Sequence, residues 1–171
     1  ILLHTKGLDL LLQGYSDYRK EGGTGLLWII GDGNELSKLK KMAESYGVAE
    51  STVFHGAIYG AQKDELIGQL SAFYHTSRNE GLPGAVLEAA SLGVPCIVSR
   101  ETNVLEYITS YNSGIGLSEN NAPRIAESMH HVTSMLQTGE LKTLSANARK
   151  MIQEVFDWNV IAANMLKIYG A

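Results

Sequence analysis

What most constrains this chain is a repeated switch between two hydrophobic patterns. Gly25–Ile30, Ser51–His55, Ala72–His75, Pro95–Ser99 and Gly114–Leu117 are short, continuous apolar runs rich in β-branched or aromatic residues. Strands with one wet face alternate apolar and polar residues, whereas strands of a parallel sheet covered on both faces read as unbroken apolar runs. Between these runs lie stretches with helical periodicity: Leu8–Lys20, Glu35–Tyr46, Gln62–Leu70, Gly84–Leu92 and Val104–Ile108. Leu8, Leu11, Leu12 and Tyr15 recur at helical spacing, as do Leu36, Leu39 and Ala43. Strand–helix alternation predicts repeated βαβ units, hence an α/β fold with a Rossmann-like, doubly wound parallel sheet. After Leu117 the segments 123–136, 141–155 and 159–169 predict a C-terminal helical tail packed on the sheet. Ile1-Leu2-Leu3 reads as the end of a strand that begins upstream.

Length and composition bound the partners. A chain of 171 residues, 44% hydrophobic and 19% charged, is long enough for one packed domain, 1–171. Acidic residues outnumber basic ones, 18 to 14, and no Lys/Arg stripe stands out, which argues against nucleic acid as a partner. Cys96 is the only cysteine, so no intrachain disulfide forms and no cysteine cluster binds metal. No apolar run approaches the roughly 20 residues of a membrane span. Together these predict a protein of a reducing compartment.

In open α/β sheets, ligands sit at the carboxyl ends of the strands beside helix N-termini. The loops Thr5-Lys6-Gly7, Gly31-Asp32-Gly33-Asn34, His55-Gly56-Ala57-Ile58 and Ser77 to Gly84 all fall there. In the last, Gly81 and Gly84 flank Leu82-Pro83, and Pro83 suits a first helical turn. Free N–H groups of Leu82, Gly84 and Ala85, with the helix dipole, favour an anion such as phosphate; a plain helix start punctuated by Gly and Pro is the other reading. Glu88 sits in a helix of small and apolar residues, where a carboxylate needs a partner. Sugar hydroxyls suit it, since a carboxylate accepts two hydrogen bonds at once. An exposed stripe of the helix is the plainer alternative. Glu80, in the loop before the helix, can address the other end of one ligand. Lys6 reads either as a phosphate-seeking cation or as a solvated loop lysine. Gly31-x-Gly33 is an incomplete dinucleotide signature and allows either close ligand approach or a tight turn. His4, His55, His75, His130 and His131 lack metal-ligand spacing and read as packing or surface residues, and Trp28 and Trp158 as core.

Taken in order, these motifs resemble a known family. Lys6-Gly7 opens a helix, Gly31-Asp32-Gly33 follows a strand, Phe54-His55-Gly56 precedes a loop, and the run from Ser77 to Ala89 contains Glu80 and Glu88 around a glycine-rich turn. Gly93-Val94-Pro95 comes next. The pattern resembles the C-terminal, donor-binding domain of a GT-B glycosyltransferase of the retaining GT4 family (glycosyl transferases group 1). The two glutamates with their internal turn are its specific element, and the likeness spans essentially the whole chain.

That resemblance implies the following roles. Glu88 holds the ribose hydroxyls of a UDP-, GDP- or ADP-sugar. Glu80 contacts the transferred sugar, and amides of Gly81, Leu82, Gly84 and Ala85 bind the diphosphate. Lys6 neutralises the diphosphate as it leaves. Gly31 and Gly33 line the donor site, and Gly56 and Ile58 lie against the base. Thr102-Asn103 stands where the family often has two glycines. It implies no cofactor and no required metal. It further implies an N-terminal domain that supplies the acceptor site, and a carbohydrate or lipid-linked acceptor in polysaccharide or glycolipid synthesis. The setting is the cytoplasm, including the inner membrane face for a peripherally associated full-length protein, and the isolated chain is expected to be inactive. An arginine that usually precedes the lysine falls at or before Ile1. Alternatives are a GT-B-fold sugar-nucleotide epimerase or phosphorylase, and a non-catalytic regulatory module.

Overall fold

The structure, a computed structural model, describes residues 1–170. Strands β1 (Leu27–Ile30), β2 (Thr52–Gly56), β3 (Phe73–His75), β4 (Cys96–Ser99) and β5 (Gly114–Leu117) match the apolar runs, trimmed at their ends. Helices α1 (Leu8–Lys20), α2 (Leu36–Ser45), α3 (Gly60–Gly68), α4 (Gly84–Ser91) and α5 (Leu105–Ser110) separate them. Then come α6 (Ala122–Thr138), α7 (Leu141–Met151) and α8 (Trp158–Tyr169), with a π-helical turn, Ile152–Phe156, where the periodicity predicts that the seventh helix continues.

Every strand pair is parallel. The central strand β4 is covered on both faces, as its unbroken apolar run requires. Ile97 packs with Leu11, Leu12, Leu39 and Ile125, under α1, α2 and α6. Its strand neighbours Cys96 and Val98 point the other way, into Val86, Ala89, Ala90, Ile108 and Met151, under α4, α5 and α7. This is the double winding read from the pattern. Small residues set the spacing. Ala89 and Ala90 are fully buried and let α4 lie close to the sheet. A side chain at Gly14 would come within 2.6 Å of Ile125, which is how closely α1 and α6 approach.

Three expectations change. The strands form two hydrogen-bonded sheets, β1-β2 and β3-β4-β5, rather than one continuous sheet. Ile1–Leu3 form no strand. Instead the chain crosses the C-terminal ends of β1 and β3, where the Leu2 N–H donates to the Asp32 carbonyl (2.8 Å) and the Arg78 N–H donates to the Thr5 carbonyl (2.8 Å). A cavity of about 430 Å³ lies below this crossing, lined by residues of β1 and β3. Finally, the tail packs only in part. α6 and α7 bury one face each, but α8 buries nothing, and Trp158 is 80% exposed rather than in a core.

Candidate functional site

The site is built where β3 ends. The chain enters it through one 3-10 turn, His4–Lys6, closed by Gly7 in the left-handed conformation (φ 65°). A Cβ on Gly7 would collide with the Thr76 carbonyl. Glycine therefore does two things here: it turns the chain and lets it press against the end of β3. Hydroxyls stitch the contact, with Thr76 Oγ1 donating to the Gly7 carbonyl (3.1 Å) and Ser77 Oγ to the Thr5 carbonyl (3.0 Å). The Arg78 guanidinium grips both oxygens of Asp9 at 2.8 and 2.7 Å, and donates to the His4 carbonyl. Burial alone would raise the Asp9 pKa; the paired Arg78 outweighs it and holds the carboxyl below its usual value.

This docking places Lys6 on Glu80. Lys6 Nζ donates to both carboxylate oxygens, at 2.7 and 2.6 Å, although the residues are 74 apart in sequence. Nε2 of the buried His75 lies 2.8 Å from Glu80 Oε2. The Glu80 main chain is fixed too, its N–H donating to the Glu101 carbonyl (3.1 Å) beside a parallel bridge to Thr102. Partial burial pushes the Glu80 pKa up, but the hydrogen bonds and charge of Lys6 and His75 prevail and lower it. Burial also lowers the His75 pKa, against the pull of Glu80, so the imidazole is neutral near pH 7. An ionised carboxylate only accepts hydrogen bonds, so the His75 proton facing it is on Nε2.

Next to this cluster the chain offers anion donors. α4 begins at Gly84, with Pro83 as its extended N-cap rather than within the first turn. Among the described residues, the N–H groups of Leu82, Gly84 and Ala85 have no protein acceptor, as expected of a helix start. A Cβ at Gly81 or Gly84 would meet nothing within 4 Å, so the turn is open. Leu82 is 54% exposed. Ala85, Lys6 and His75 are among the residues lining the cavity of about 430 Å³.

Glu88 is placed differently. It lies on the exposed stripe of α4, half open to solvent, and its carboxylate accepts from Lys63 Nζ of α3 at 2.9 Å. The glycines of the first βα loop serve the fold. A Cβ on Gly33 would come within 2.6 Å of the Leu2 backbone, and the Gly31 N–H donates to the Gly56 carbonyl at 2.7 Å. Gly56 (φ 72°) has open space where a side chain would be, and Ile58 is half-buried beyond it. The Thr102 and Asn103 amides are occupied, donating to the carbonyls of Ser99 (3.3 Å) and Gly81 (3.2 Å).

Sequence reasoning missed His75, the Asp9–Arg78 clamp and Lys63. His75 carried one usable signal, as the last residue of a strand whose C-terminal end faces the ligand edge. The clamp and Lys63 carried none, since only folding brings them to their partners.

A parallel, doubly covered α/β unit with cations, carboxylates and free amides gathered at its strand ends is a class of domain that binds anionic ligands there. The chain belongs to the family described as glycosyl transferases group 1, whose family model matches residues 2–151. It is 25% identical over 174 residues to a GDP-mannose-dependent alpha-(1-6)-phosphatidylinositol monomannoside mannosyltransferase of Mycobacterium tuberculosis, covering 96% of this chain and 44% of that protein. It is 23% identical to the putative colanic acid biosynthesis glycosyltransferase WcaL of Escherichia coli, covering 99% of this chain and 43% of that protein. The chain thus spans less than half the length of these relatives. Among solved structures, a TarM variant of S. aureus in complex with Fondaparinux, alpha-GlcNAc-glycerol and UDP superposes with a TM-score of 0.87 at 19% identity, over 99% of this chain and 34% of that one. Anabaena HepE in complex with UDP gives 0.82 at 16%, over 99% and 46%. These likenesses establish the fold as that of the matching C-terminal part of GT-B glycosyltransferases.

Proposed function

We propose that this chain is the donor-binding part of a retaining glycosyltransferase that takes a sugar from a nucleoside-diphosphate sugar. The acceptor is a carbohydrate or lipid-linked glycan, held by a further, N-terminal domain. The observation that carries this reading is the meeting of Lys6 and Glu80 beside the open, proline-started turn before α4. In the transfer, the bond from the anomeric carbon to the diphosphate breaks, and its electron pair leaves with the phosphate oxygen. A bond to the acceptor hydroxyl oxygen forms, and that hydroxyl's proton passes to the departing phosphate oxygen. Negative charge therefore develops on the leaving diphosphate. Lys6 and the amides of Leu82, Gly84 and Ala85 are fixed donors for that charge, so little reorganisation is needed as it grows. The reading needs no metal. Glu80 accepts from sugar hydroxyls, and Glu88, freed from Lys63, from the ribose. Gly56 and Ile58 flank the base.

The relatives' names and partners fit this reading: one uses GDP-mannose and two solved neighbours hold UDP. No described helix is long and apolar enough to cross a membrane. Calorimetric titration of the folded protein with UDP, GDP, ADP and their sugar conjugates tests the proposal. Binding by at least one pair is expected. Silence from all of them overturns it.

A further inference from the structure

The site contains a contact that its proposed chemistry must break. Lys6 is bound to both oxygens of Glu80, yet the donor reading asks Lys6 for the diphosphate and Glu80 for the sugar. Lysine carries its charge on a long stem, so its ammonium can move between partners. Glu80 would then lose its main anchor just when it must be aimed. Among the described residues one other side chain bonds to it: His75, whose Nε2 is 2.8 Å from Oε2. His75 is the last residue of β3, its backbone paired in register with Val98 of the buried strand β4. Its side chain is 9% exposed, against 30% for Lys6. It cannot follow the lysine.

We propose that His75 is the positioning residue for Glu80: it holds the carboxylate in place while Lys6 transfers from Glu80 to the donor's diphosphate. This rests on the donor-site reading above and deepens it. The Lys6–Glu80 pair is then the resting state of an empty site, and the His75–Glu80 bond persists through both states. His75 touches neither the sugar nor the diphosphate. Its effect reaches the ligand only through Glu80, so it acts on recognition of the sugar and not of the nucleotide.

The test uses His75→Leu, which keeps bulk and removes the donor, and His75→Gln, which restores an N–H at similar reach. Both are compared with the wild-type full-length protein by titration with UDP, GDP and ADP and with UDP-glucose, GDP-mannose and ADP-glucose. His75→Leu is expected to weaken the sugar nucleotide that binds by about tenfold, the loss of one charge-assisted hydrogen bond. Affinity for the matching nucleoside diphosphate should stay unchanged, and His75→Gln should recover most of the loss. Equal weakening of both ligands, or of neither, overturns the proposal. A second readout needs no ligand: carbon NMR of the Glu80 carboxyl during acid titration. Its midpoint should rise in His75→Leu and return in His75→Gln; an unchanged midpoint in His75→Leu overturns the link. If the midpoint moves but no nucleotide binds the wild type, the His75–Glu80 link stands and the donor reading falls.

Discussion

Glu80 and Glu88 are the same residue type, eight positions apart, and fold into opposite situations. The wall around Glu80 is built by contacts within the fold. Its carboxylate is about a quarter exposed, held by Lys6 and His75, and its backbone is clamped from two sides. The wall around Glu88 is loose. Its carboxylate is half exposed, on a helix surface, with the Lys63 ammonium as its partner. Surface ion pairs of that kind are worth about 0–1 kcal/mol, so Glu88 can leave Lys63 at little cost. The contrast separates an acid fixed by the fold from one held only by a surface ion pair.

The largest expected effect comes from the element that builds the tight wall. Gly7→Ala puts a methyl into the Thr76 carbonyl at a left-handed φ, and should cost about 2–4 kcal/mol of stability. Urea unfolding measures it, and a loss below ~1 kcal/mol would mean that the Lys6 turn is not pressed onto β3 as described. Lys6→Met follows. It leaves the Glu80 carboxylate with His75 alone, and about 1–3 kcal/mol of stability should go with the charged hydrogen bonds. Nucleoside-diphosphate affinity should fall with it, by calorimetry.

Acid should dissolve the tight wall. Asp9 and Glu80 are held below their ordinary values of 3.8 and 4.5. The stabilisation from such groups is complete above the unfolded values and is lost as pH falls through the lower, folded ones. The His75 pKa is also lowered from 6.5, so the unfolded chain takes that proton first, and stability begins to fall as pH drops below 6.5. Thermal melts between pH 7 and pH 3 should therefore show a continuous decline. His75→Gln should remove its upper part, and a flat profile between pH 6.5 and pH 5 would contradict the assignment to His75.

The smallest structural effect is expected on the loose wall. Glu88→Gln should change stability by less than about 1 kcal/mol, yet weaken nucleotide binding by roughly tenfold through lost ribose hydrogen bonds. If binding is unaffected, Glu88 has no ribose role. If stability falls as far as with Lys6→Met, the two walls are not different in kind.

Much of this was readable before folding, for reasons that differ by element. The buried strand β4 showed itself because a strand covered on both faces reads as a nearly unbroken apolar run. The turn before α4 showed itself because Gly and Pro restrict the backbone locally. Pro83 lies one place outside the helix rather than inside it, a difference that local preference does not resolve. Trp158 misled, because composition says what a side chain would gain by burial but not whether a partner surface is there.

The sequence by itself determined the parallel α/β class, the edge where chemistry gathers, and the candidate residues Lys6, Glu80 and Glu88. The class and the edge follow from periodicity and from short-range backbone rules, which act within one element, whereas the three candidate residues were singled out by the resemblance to a known family. Only the tertiary structure decided that Lys6 reaches Glu80 across 74 residues, that His75 belongs to the site, and that Glu88 faces Lys63. Those are pairings between charges and donors on separate elements. Their distances depend on how α1, α3, β3 and α4 pack, which no local pattern encodes.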